Sequence, residues 1–141
     1  MTQPTAWTSH DVAKRFEQAV VTLRRLPPVR VQGYISSWPP ILRDVAEQLA
    51  EARAPFRLGP PAPEAISRME QTLQWIYWIE SEEQRRLIWL RAARVRWEPI
   101  CWQIGYGRTK AWQVWKVALE HIATQLNRQA NGGNHASAKK H

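Results

Sequence analysis

Residues 97–116, WEPICWQIGYGRTKAWQVWK, decide how this chain is read. Gly105 is the natural centre of a tight turn, because a residue without a Cβ enters the left-handed backbone region at no steric cost. A turn there sets Ile100, Ile104, Tyr106, Ala111 and Val114 on the inner faces of two short helices, with the small Cys101 where the helices touch. That register is the twenty-residue helix-turn-helix, whose second helix is presented to the major groove of DNA. The side chains left facing outward on the second helix are Arg108, Thr109, Trp112, Gln113 and Lys116, with no acid among them. An ordinary helical hairpin with a glycine turn is the plainer alternative.

The outward residues have chemistry suited to duplex DNA. Arg108, Trp112 and Lys116 are spaced i, i+4, i+8 and form one ridge, with Thr109 and Gln113 beside it. A guanidinium can bond guanine O6 and N7 together, and a glutamine amide can pair with adenine N6 and N7, so Arg108 and Gln113 are the candidate base readers. Thr109 lies at the helix start, where free amides favour a phosphate, and Lys110 and Lys116 suit backbone contact. Trp112 fits either a thymine methyl or the core. Just upstream, Arg94 and Arg96 belong to an arginine-rich helix suited to neutralising phosphates.

Working outward, the sequence reads as all-α: five or six helices, a helical bundle ending in the helix-turn-helix and a long recognition helix, with no convincing strand. Ser9 is placed to cap a helix from His10 to Leu26, with Val12, Phe16, Ala19, Val20 and Leu23 on one face. Pro27-Pro28 should stop it, and residues 27–40 read as an ordered loop. A second helix is expected over Pro40–Ala54, and the proline-rich 55–63 marks a subdomain boundary. A third, Pro63–Glu80, ends in WIYWI (75–79), apolar on every side and therefore buried by this chain or by a second copy. Ser81 and Gln84 form a capping-box pattern that opens a fourth helix to Arg96, with Leu87, Ile88, Ala92 and Val95 inward. Pro99 suits the first turn of the fifth helix. The recognition helix is expected to end near Asn127, after an inner stripe of Ala111, Val114, Trp115, Ala118, Ile122 and Leu126. The expected division is 1–62 for assembly or partner contact, 63–128 for the helical core, and 129–141 as a disordered tail.

Composition agrees with a DNA-binding protein and disfavours other classes. The net charge is +8 over 141 residues, unevenly placed. Residues 1–80 hold nine Lys/Arg against eight Asp/Glu, whereas residues 81–141 hold eleven against four, so the excess coincides with the helix-turn-helix. No run of eighteen apolar residues occurs, so no membrane partner is expected, and the first residues, MTQPTAWTSHDV, lack the pattern of a secretion signal. A single cysteine fits a reducing cytoplasm. His10, His121, His135 and His141 are scattered, and no paired carboxylates, phosphate loop or Cys/His cluster is present, so no catalytic residue, metal or cofactor is expected. Trp75, Trp78, Trp89, Trp97, Trp102 and Trp115 read as core filler, and Cys101 as a buried small apolar residue.

The stretches LRRLPPVRVQGYISSWP (23–39), PEAISRMEQTLQWIYWI (63–79), RRLIWLRAA (85–93) and IGYGRTKAWQVWKVALEHIATQLN (104–127) resemble an uncharacterised family of helix-turn-helix proteins from prophages and alphaproteobacteria. The C-terminal part also resembles the DNA-reading region 4 of sigma factors, where an arginine followed by serine or threonine opens the recognition helix, as Arg108-Thr109 does here. Cys101 and Tyr106 depart from the alanine and valine usual in that pattern. The resemblance implies double-stranded DNA as partner. A phage-associated transcriptional regulator is the expected role, with a small terminase-like packaging subunit or an RNA polymerase-binding module as alternatives. A homodimer or higher oligomer is expected from WIYWI.

Overall fold

A computed structural model describes residues 6–35 and 60–139. Six helices account for the architecture of these residues, and no strand occurs among them: α1 (Ser9–Arg25), α2 (Pro28–Ile35), α3 (Pro63–Trp75), α4 (Glu82–Ala92), α5 (Trp97–Ile104) and α6 (Arg108–Lys139). The helix expected over residues 40–54 and most of the proline-rich connection lie outside the described residues.

α1 is the hub. Its apolar residues recur at helical spacing, and Val12, Phe16, Ala19, Val20 and Leu23 are all buried. It packs against α3, α4 and α6. Phe16 presents its ring edge-on to Trp89 at 5.3 Å and to Trp75 at 6.2 Å, so one phenyl ring joins three helices. The N-cap is Thr8 rather than Ser9: Thr8 Oγ1 accepts from the Asp11 amide, and the Asp11 carboxylate accepts from the Thr8 amide. The Thr8 amide and hydroxyl bonds to Asp11 hold its carboxyl below its ordinary value. The Asn127 side chain closes the bundle, accepting from the Trp7 amide at 2.8 Å and donating to the Trp7 carbonyl at 3.1 Å. The core thus draws on both sides of the boundary expected at residue 62.

Several boundaries differ from the sequence expectation, each for a physical reason. Residues 28–35 are helical rather than loop: the proline pair ends α1, but Pro28 then occupies a first-turn position where its missing amide costs nothing. Val31, within the stretch read as a loop, is buried on that helix. The third helix stops at Trp75 and passes into a 3₁₀ turn over Ile76–Trp78. Trp75, Ile76 and Ile79 are buried by this chain itself, and Tyr77 is 47% exposed, so the burial of WIYWI requires no second copy. Ser81 Oγ accepts from the Gln84 amide and starts α4 as expected. That helix ends at Ala92, not Arg96, because Arg94 takes a left-handed conformation with φ 65°. The amides of Arg94 and Val95 then bond back to the Arg91 and Leu90 carbonyls, a Schellman closure with arginine where glycine is usual. α6 continues past Asn127 to Lys139, since no proline interrupts residues 128–139. No helix among the described residues is long and apolar enough to cross a membrane.

Candidate nucleic-acid interface

α4, α5 and the first turns of α6 form a three-helix unit in which each helix touches the other two. Gly105 ends α5 with φ 80°, and its amide donates to the Cys101 carbonyl at 2.8 Å. After Tyr106 and Gly107, α6 begins at Arg108, and the Ala111 amide returns to the Gly107 carbonyl at 3.0 Å. Ile100 on α5 and Ala111 on α6 are both fully buried, while Ile104 and Val114 are half-buried. Tyr106 does more than pack: its hydroxyl donates to the Glu83 carboxylate in the first turn of α4. That bond raises the phenol above its ordinary value, since ionisation would forfeit the donor and set two negative charges together. The turn is therefore pinned to α4 by a polar contact as well as by apolar burial.

The outward face of early α6 carries the residues singled out from the sequence. Arg108, Thr109, Lys110, Trp112 and Gln113 are exposed, and Lys116 is half-buried. Trp112, 44% exposed, lies outside the core. The Lys116 ammonium sits 5.1 Å from the centre of its ring, and Lys110 lies 4.3 Å from that of Tyr106, so both cations rest on aromatic faces. Gly107, which precedes α6, has no side chain with which to cap the first amides of that helix. Arg94 and Arg96 are exposed in the loop between α4 and α5, and Arg94 reaches Glu17 at 3.8 Å.

A cleft of about 560 Å³ opens beside this face, bordered by Arg91, Arg96, Trp97, Glu98, Cys101, Trp102 and Arg108. Two of its walls depart from the sequence reading. Trp102, expected in the core, is 82% exposed, because it stands two residues from Ile100 and Ile104 on the far side of α5. Cys101, expected to be buried, is half-buried at the cleft edge. Arg91 is a wedge: its guanidinium lies 4.5 Å from the Trp97 ring centre and 5.8 Å from that of Trp115, and donates to the Val95 carbonyl at 2.8 Å. Burial holds its proton affinity below the ordinary guanidinium value; Glu17 opposes that shift and Arg108 adds to it. Trp97 and Trp115 meet edge-to-face at 5.7 Å, so Arg91 and these two rings fix α5 against α6.

The arrangement provides exposed cations and exposed indole rings on a braced hairpin. Among the described residues, no group of three or more His, Cys, Asp or Glu side chains is placed to hold a metal ion.

Residues 24–122 match a family described as a domain of unknown function (DUF6362), and the chain belongs to that family. The match runs from the last two residues of α1 into α6 and includes α5, the turn and the first half of α6. The family description carries no activity, ligand or partner. No curated protein and no solved structure matches the chain.

Proposed function

We propose that this member of the family binds double-stranded DNA through α5 and α6, with α6 lying in the major groove. The observation that carries the reading is the outward ridge of α6: Arg108, Thr109, Trp112, Gln113 and Lys116 follow directly on a left-handed glycine turn flanked by the buried Ile100 and Ala111. Arg108 and Gln113 are the base readers in this reading. Thr109, Lys110, Lys116, Arg94 and Arg96 hold backbone phosphates, and Trp112 lies against the groove wall. A side chain paired well with one base edge discriminates by about 1–3 kcal/mol, so two or three such residues suffice for a short half-site.

Regulation of transcription in a phage or mobile element is the biological role we attach to this activity, on the strength of the sequence resemblance. Packaging by a ring of subunits is separable by the native mass: eight or more copies in one particle would favour packaging over regulation.

The direct test is Arg108→Ala combined with Lys116→Ala, assayed by duplex binding at moderate salt. Loss of one base pairing and one phosphate contact should weaken binding by at least about tenfold. Unchanged affinity in a folded double variant would refute the assignment.

A further inference from the structure

A second basic concavity lies outside the helix-turn-helix. It is a groove of about 380 Å³ between α1 and α3, reaching the end of α4, and its walls include Arg15, Arg24, Arg25, Arg68 and Arg94. Glu17 is the one carboxylate among the described residues that line it. Among the described residues the lining sets five guanidiniums against one acid; four come from residues 1–80, whose net charge is only +1, and folding adds Arg94 to them.

Two of the cations are held in place by the fold. Arg15 lies 4.7 Å from the Trp75 ring centre and donates to Gln71 and to the Arg68 carbonyl. Arg25 donates to the Pro60 carbonyl at 3.2 Å. Burial and the neighbouring Arg68 both depress the proton affinity of Arg15, a like-charge strain that an anion in the groove would relieve. The groove also connects to the proposed DNA face. Arg94 lines it from the α4–α5 loop, Glu17 bonds Arg94, and the Arg91 guanidinium responds to both Glu17 and Arg108. Arg94 is in addition the residue whose left-handed backbone glycine would adopt at lower cost. The arginine there places its charge at the junction of the two basic surfaces.

We propose that the α1–α3 groove is a second phosphate-backbone site, which carries the DNA beyond the helix-turn-helix and lengthens the footprint on the duplex. The inference rests on the DNA-binding reading above. It gives α1 a role besides packing: sequence is read by α6, and flanking duplex is held by arginines that make no base contact.

The test compares two duplexes with the same central site, one of about two helical turns, roughly 20 base pairs, and one of about four, roughly 40. Binding of the full chain is measured over a salt series for the unchanged protein, for Arg24→Gln/Arg68→Gln, and for Arg94→Gly. The unchanged protein should bind the longer duplex more tightly, with a steeper salt dependence. The glutamine pair should lose that gain, with a salt slope on the long duplex shallower by about 2, and keep its affinity for the short one. Arg24→Lys/Arg68→Lys, which keeps the charge, should restore the gain. Arg94→Gly relieves backbone strain, so it guards against misfolding as the explanation, and it should also reduce the gain. Equal length dependence in the unchanged protein and the glutamine pair would overturn the groove while leaving the helix-turn-helix reading intact. Failure of the unchanged protein to bind either duplex would overturn both.

Discussion

Tyr106 shows how one side chain can serve both the fold and the site. Its hydroxyl ties the turn to Glu83, and only the protonated phenol can donate that bond. The phenol is raised above its ordinary value of 10.0, so its contribution to stability is complete below that value and is lost as pH climbs through the higher folded value. Tyr106→Phe should therefore lower the melting temperature by a constant amount from neutral pH to about 9, and the gap to the unchanged protein should close above about 10. Melting curves across that range check it; a gap that persists at high pH would show that the hydroxyl bond is not the cause. Residue-scale features were unevenly legible. Gly105 stood out because its conformational need is met by its lack of a Cβ, and the structure gives it φ 80°. Arg94 gave no such signal, since arginine has no preference for the left-handed region and only the helix end imposes it. Trp102 was legible but misread: spacing from Ile100 and Ile104 already set it on the opposite side of α5, and its hydrophobicity obscured that register.

Among the elements, α1 does most to hold the molecule together, and Phe16 does most within α1. Fully buried and edge-on to both Trp75 and Trp89, it lies where α3 and α4 meet the hub. Phe16→Ala should cost about 3–5 kcal/mol, through lost burial and the cavity left between two indoles. Denaturant unfolding measures this directly; a loss below about 1 kcal/mol would mean that the three helices do not depend on that ring. The apolar face of α1 was readable from its period, as was the inner stripe of α6, because both are long enough for 3.6-residue spacing to repeat. Boundaries were less readable. Pro27-Pro28 carries two opposite messages, stopping one helix and opening the next, and linear reading took only the first. α4 was read four residues too long because Val95 continues its apolar spacing past the point where Arg94 turns the chain.

At the scale of the whole molecule, charge is organised by folding more than by position in the chain. The excess over residues 81–141 was countable and coincides with the α5–turn–α6 unit. The α1–α3 groove was not, because its arginines are diluted by acids along the chain and meet only when α1, α3 and the end of α4 pack together. The cleft bordered by Arg91, Arg96 and Arg108 was hidden in the same way, with one cation from each of α4, the following loop and α6. If both surfaces hold phosphate as proposed, they do so without regard to sequence, and salt separates their contribution from the base reading proposed for Arg108 and Gln113. The central claim is that α6 reads bases. Its most direct test is selection of random genomic duplex fragments by the purified protein at two salt concentrations, with sequencing of what is retained. The expected result is one enriched motif that survives the higher salt and disappears when Arg108 and Gln113 are both replaced by alanine. A retained pool without a motif, released as salt rises, would contradict the account and reduce the basic face to a nonspecific electrostatic surface.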